Sequence, residues 1–184
     1  MELTFFNISY IILWILFVPL LLLNLVLFRQ LGIMVMGTAR GVNNSGIPVG
    51  NKIPNISTYT RINNEIWEPS MLDKEPTLVF FGSPHCAECK EIMPELDGVE
   101  SKYGVKTLII LLTDLETANN YVTNNNIKTT TIVGPSNIAE DFDIVGTPFA
   151  YGVNKDGVIT GKGLINSREQ LESISISAKN LKVA

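Results

Sequence analysis

"TLVFFGSPHCAECKEIMPEL", residues 77–96, decides how the rest of the chain is read. TLVFFG is a short apolar run between Pro76 and Gly82, the pattern of a buried strand. The turn GSPH follows, and then a helical pattern. Ile92, Met93, Leu96, Val99 and Tyr103 fall on one face, and Gly104 stands where a C-terminal cap belongs. Both cysteines of the chain, Cys86 and Cys89, lie in this stretch, with its one histidine, His85, beside the first. Such a pair is a redox dithiol, half of a metal site, or two thiols that fill space.

Position favours the first reading. Cys86 opens a helix, where unpaired backbone N–H groups and the positive end of the helix dipole favour a thiolate. Cys89 lies one turn further along the same face, within reach of a disulfide. Cys86, nearer the surface, is the expected nucleophile, and Cys89 is placed to resolve a mixed disulfide. A structural zinc site wants about four nitrogen or sulfur ligands. The chain has two Cys and one His, and His85 is adjacent to Cys86, so no metal and no cofactor are expected. Zinc or copper shared across a dimer is the remaining metal arrangement. Covalent c-type haem needs His after the second cysteine, and Lys90 stands there.

Outward from this stretch, VKTLIILL reads as a second buried strand. Asp114 is placed to cap a helix through Val122 that the NNN turn at Asn124–Asn126 stops. TTTIV is a short strand, and Ser136 is placed to cap the short helix NIAEDF. PFAYGV, the turn NKDG and VITGKGL form a hairpin. Ser167 to Gln170 fits a capping box opening the last helix, with Leu171, Ile174 and Ala178 inward. ISTYTRINNEIW alternates around Asn63–Asn64 as a small hairpin. The order is that of an α/β layer fold built on a parallel βαβ unit. Pro94 lies inside the first helix pattern and is expected to bend it. Pro148, in VGTP before an apolar strand, is compatible with a cis or a trans Thr147–Pro148 bond.

Residues 8–28 are almost continuously apolar, long enough to cross a hydrocarbon core of roughly 30 Å at about 1.5 Å per residue. Glu2 near the start, and the absence of a clear small-x-small site following Phe28, favour a retained transmembrane helix over a signal peptide. Pro19 is a candidate kink, and Asn24 a candidate donor to a partner helix. The expected division is an anchor over 1–30, a flexible Gly- and Asn-rich linker over 31–50 and one domain over 51–184. Arg29 and Arg40 follow the helix while its N-terminal flank has no basic residue, a bias that by itself places the domain in the cytoplasm. The net charge of −4, with no basic stripe, argues against nucleic acid as a partner.

Strand, Cys-x-x-Cys-Lys, proline five residues after the second cysteine, Thr-Pro before a hairpin and an amphipathic last helix together resemble a thioredoxin-fold protein. The anchor, RQLG, the Gly-rich linker and VGNKIPNIS are most similar to the membrane-anchored redoxin group of the MauD and TlpA/ResA type. The resemblance covers roughly Ile53 to Lys182. It implies a mixed sheet flanked by helices, Cys86 as attacking and Cys89 as resolving thiol, Pro148 as the cis-proline beside them, and Thr147 as backbone that pairs with a bound substrate strand. It also implies a domain outside the cytoplasmic membrane, against the flanking charges. Two departures stand out. Ala87-Glu88 separates the cysteines where the group usually has proline after the first, and Phe80 occupies the strand position where thioredoxin has a buried acid. Glu88 opposes a thiolate on Cys86, and a protonated His85 would favour one.

The expected activity is thiol–disulfide exchange with client proteins bearing cysteines or disulfides, from a tether in the bilayer. The direction of electron flow is open. No cysteine lies in the span, so recycling needs a separate membrane electron donor or acceptor. The resemblance implies maturation of a secreted or membrane client. The rival reading is a non-catalytic anchored assembly factor or metallochaperone on the same fold. Peroxide reduction is disfavoured, because the Thr-x-x-Cys arrangement of peroxiredoxins is missing.

Overall fold

The computed structural model describes residues 2–56, 59–62 and 68–179. The chain divides into two compact units at Asn44.

The first unit is one helix, α1 (Glu2–Asn44), with Pro19 inside it. Its stretch Phe6–Gln30 is 25 residues of mean hydropathy 2.9, none of it buried in the protein, and is long and apolar enough to cross a membrane. Asn24 donates back to the Leu20 carbonyl at 3.4 Å, which satisfies its amide within the helix. The linker expected over 31–50 is helical as far as Asn44. A helix already nucleated by the apolar span extends at the cost of one residue's freedom per added bond, which tolerates scattered glycines.

The second unit is built on a six-stranded sheet in the order β1-β4-β3-β2-β5-β6. The strands are β1 (Thr60–Arg61), β2 (Thr77–Gly82), β3 (Lys106–Leu111), β4 (Thr131–Val133), β5 (Phe149–Val153) and β6 (Ile159–Leu164). β2, β3 and β4 run parallel, while β1, β5 and β6 pair antiparallel. All six residues of β2 are buried, as its continuous apolar run requires of a strand covered on both faces. Asn63 and Asn64 lie outside the described residues; Thr60 and Arg61 pair with Val133 and Ile132 of β4. Gly50, Asn51 and Ile53 exchange backbone hydrogen bonds with Ile159 and Gly157, along the free side of β6.

The two faces of β2 bury two clusters. Leu78 and Phe80 join Cys89, Ile92, Met93 and Leu96 under the helices on one side. Val79 and Phe81 join Phe142, Phe149 and Tyr151 on the other. There the Phe81 ring lies 5.0 Å from that of Phe142, and Phe149 lies 5.1 Å from Tyr151. Each such buried side chain contributes roughly 1.5–3 kcal/mol.

The helices of this unit are α2 (Ala87–Leu96), α3 (Val99–Tyr103), α4 (Leu115–Asn124), α5 (Ile138–Asp141) and α6 (Arg168–Ser177). The single helix expected from Cys86 to Tyr103 is thus two, divided at Asp97–Gly98 and not at Pro94. Asp97 explains the break. Its carboxylate accepts the N–H groups of Lys128 and Thr129 at 3.2 and 2.9 Å, tying the end of α2 to the loop before β4. Gly104 caps α3 in the left-handed region, φ 61°. Asp114 caps α4 through the Thr117 N–H at 2.9 Å. Ser167 caps α6, and Gln170 Oε1 returns a bond to the Asn166 N–H at 2.7 Å. Ser136 does not cap α5; Asn137 stands at that position, and its side chain donates to Asp141 Oδ2 at 2.9 Å and not to the helix backbone.

α6 approaches the hairpin through two glycines. A Cβ at Gly152 would stand 2.5 Å from the Ile174 carbonyl, and one at Gly161 would stand 2.3 Å from Ser177 Oγ. Gly152→Ala should therefore push α6 off β5 and destabilise the domain by about 1–3 kcal/mol, read as a lower midpoint in thermal denaturation.

Candidate active site

β2 ends at Gly82, and the chain turns through Ser83, Pro84 and His85 to reach Cys86. The turn is closed by the Cys86 N–H on the Ser83 carbonyl at 3.1 Å. Cys86 is the N-cap of α2, with extended backbone at φ −88°, ψ 122°. Its Sγ accepts the Cys89 N–H at 3.2 Å, so the sulfur satisfies one of the helix's orphan donors. Both cysteines are free thiols, Cys86 half-buried and Cys89 buried.

Two oxygens face Cys86. The Thr147 carbonyl accepts from Sγ at 3.5 Å, and Glu88 Oε2 lies 3.7 Å away. The Thr147–Pro148 peptide is cis. The structure therefore brings together Cys86, Cys89, Thr147 and the Pro148 loop, residues 61 positions apart in sequence. His85 is exposed at the rim, its N–H on Ser83 Oγ at 3.3 Å.

Burial separates the two thiols. Cys89 is wholly enclosed by the cluster that contains Phe80 and Met93. That burial, with the hydrogen bond to Cys86 second, pushes its thiol up from 9.0 to about 12. Tyr121, on α4, is a neighbour the sequence did not flag. It packs half-buried against the same cluster, and its phenol is pushed up by burial first and then by Cys89 and Cys86. Its one sequence signal was a place three residues beyond Ala118 on the inner face of α4. Among the described residues, no group of three or more His, Cys, Asp or Glu could hold a metal ion.

An α/β sheet of this topology, with a reduced Cys-x-x-Cys at the N-terminus of the helix after its central strand, defines a thiol–disulfide oxidoreductase. The chain belongs to the thioredoxin-like domain family, whose model matches residues 70–176. The methylamine utilization protein MauD of Paracoccus versutus is 26% identical over 176 residues, covering 93% of this chain and 88% of that protein. MauD of Methylobacillus flagellatus is 27% identical over 172 residues, covering 90% and 83%. Among solved structures, the thioredoxin domain of a thiol-disulfide oxidoreductase from Bacteroides vulgatus superposes with a TM-score of 0.60 at 16% identity, covering 70% of this chain and 96% of that one. At that identity the likeness is one of fold, and the expected fold is borne out.

Proposed function

We propose that the protein is a membrane-tethered oxidoreductase that exchanges disulfides with client proteins through Cys86 and Cys89, in the maturation of a secreted or membrane protein. The observation that carries this reading is the placement of Cys86 Sγ. It sits on the Cys89 N–H at the start of α2, half-buried, with the Thr147 carbonyl alongside. Backbone beside the sulfur is what an extended client segment needs in order to pair as it is attacked.

In the reducing direction, the Cys86 thiolate attacks one sulfur of a client disulfide. The client S–S bond breaks, a Cys86–client disulfide forms, and the departing client sulfur takes a proton. Cys89 then loses its proton and attacks Cys86 Sγ. The second client sulfur leaves as a thiol, and the pair is left oxidised. Two electrons have passed to the client, and a membrane donor must restore them. The oxidising direction is the same sequence reversed, with a membrane acceptor. Burial keeps Cys89 protonated until Cys86 is engaged. Once Cys86 is in a mixed disulfide, its contribution to holding that proton is gone, and the resolving step becomes easier.

The family resemblance supports a domain on the extracytoplasmic side, where disulfides persist. The apolar stretch of α1 supports a single-pass tether, which raises the local concentration of membrane-bound or newly exported clients.

The test is a trap. Cys89→Ala in the full-length protein leaves a mixed disulfide unresolved, so clients should accumulate as reductant-sensitive adducts on Cys86, identifiable by mass spectrometry. An absence of adducts at Cys86, with cellular function kept when both cysteines are replaced, would favour a non-catalytic assembly factor.

A further inference from the structure

The loop from Phe142 to Pro148 carries the Thr147 carbonyl to Cys86, yet its first half has little regular structure of its own beyond α5. Asp143 sits in the left-handed region at φ 51°, and Val145 is 73% exposed. The N–H groups of Asp143 and Ile144 bond back to Glu140 and Ala139 of α5, and a second set of bonds comes from about 100 residues earlier in the chain. Immediately after α1, the Gly46 N–H donates to the Asp143 carbonyl at 2.7 Å. The Ile47 N–H donates to Tyr151 Oη at 2.9 Å, and the same hydroxyl donates to the Phe142 carbonyl at 2.6 Å. Ser45 Oγ, on a buried residue, adds longer contacts to the Asp143 carbonyl and the Val145 N–H, at 3.5 and 3.4 Å. Lys162 Nζ closes the set on the Gly46 carbonyl.

The fit leaves no room for a side chain. Gly46 has φ +80°, and a Cβ there would stand 2.6 Å from both Phe149 Cζ and Tyr151 Oη. Tyr151 is fully buried, and its hydroxyl is the joint between segment 45–47 and the loop. The segment is therefore built to this place by three separate features: a glycine where only glycine fits, a buried hydroxyl bonded on both sides, and a lysine drawn over the backbone.

We infer that Ser45–Ile47 is a strap that positions the Thr147–Pro148 loop against Cys86, and that Gly46 and Tyr151 are positioning residues for the capture of a client's extended segment. The inference rests on the oxidoreductase reading for its consequence, but its geometry does not. Neither residue touches the thiols. Both act through the loop, so the effect falls on how well a polypeptide seats beside Cys86 and not on the sulfur chemistry.

The experiment uses the full chain in detergent micelles, with Tyr151→Phe and Gly46→Ala as variants. Two quantities are read: amide hydrogen exchange by segment, and exchange kinetics with a peptide carrying one disulfide. Tyr151→Phe keeps the ring and removes both hydroxyl bonds. It should speed exchange in 45–47 and 142–147 by about tenfold, the shift expected for a lost hydrogen bond, while β2 and β3 stay protected. KM for the peptide should rise several-fold with kcat within about twofold. Gly46→Ala should do the same more strongly. Unchanged exchange in 142–147 in both variants overturns the strap. Faster exchange there with an unchanged KM, or with KM and kcat equally impaired, overturns its part in client capture. A wild-type protein that does not act on the peptide at all would count against the oxidoreductase reading, and the hydrogen-exchange result would still decide the strap.

Discussion

Cys86→Ser removes dithiol exchange, by on the order of 10⁴-fold or more, while the domain keeps its thermal midpoint. The size of the loss follows from the chemistry: a serine hydroxyl at neutral pH is no nucleophile toward a disulfide, and no other described cysteine stands at the surface to take its place. The near-neutral stability follows from position. Cys86 is an N-cap, and serine is a preferred N-cap residue, so its oxygen inherits the Cys89 N–H. Cys89→Ala should behave differently. It leaves the first attack intact and blocks release, so a single turnover with a disulfide substrate yields a stable adduct. The measurement is insulin or peptide disulfide exchange, with non-reducing electrophoresis to separate lost chemistry from stalled chemistry. Exchange at more than a few per cent of wild type in Cys86→Ser would remove Cys86 from the role proposed for it.

The second large effect is a difference in reactivity between two thiols three residues apart. At pH 8 the folded, reduced protein should take up one alkyl group, on Cys86, and Cys89 should react only after unfolding. With its pKa raised to about 12, Cys89 has a thiolate in roughly one molecule in ten thousand at that pH. It is also fully enclosed, so the reagent cannot reach it. Mass spectrometry of the native and denatured protein after iodoacetamide treatment reads this directly. Two alkyl groups taken up at equal rates would mean that Cys89 is not held as the enclosure requires. Stability carries the same signature. The folded state holds the Cys89 proton more tightly than the unfolded chain, so this contribution is fully present below pH 9 and is lost as pH rises from 9 through about 12. Tyr151, pushed up by burial from 10.0 to about 12, adds a loss of the same sign above pH 10. The reduced protein should therefore lose denaturant resistance across this window more steeply than Cys89→Ala.

What could be read from the sequence was what local pattern encodes. The apolar run of β2, the turn and the helix placed Cys86 and Cys89 correctly, because strand and helix periodicities are fixed by the backbone. Asp114, Gly104 and Ser167 were found at their caps for the same reason. The failures are long-range. The end of α2 depends on Asp97 meeting Lys128 and Thr129, 31 and 32 residues away. The strap depends on Ile47 meeting Tyr151, 104 residues away. Gly46 looked like linker composition because a glycine that frees a chain and a glycine that lets two segments touch are the same letter. Tyr121 is legible only as an inner-face residue of α4 for a related reason: nothing in α4 says that this face will lie beside the thiols.

The edges of the sheet bear on how copies of this protein meet. A tethered protein moves in two dimensions, where neighbours collide often and with restricted tilt. Open strand edges would then be sites for unwanted end-to-end pairing between copies. Here, among the described residues, one border is Thr60–Arg61, and the other is partly covered by Gly50–Ile53 lying along the start of β6. Between copies of the domain, the start of β6 is thus already taken by backbone of its own chain. Pairing through that end of the border would first have to displace Gly50–Ile53.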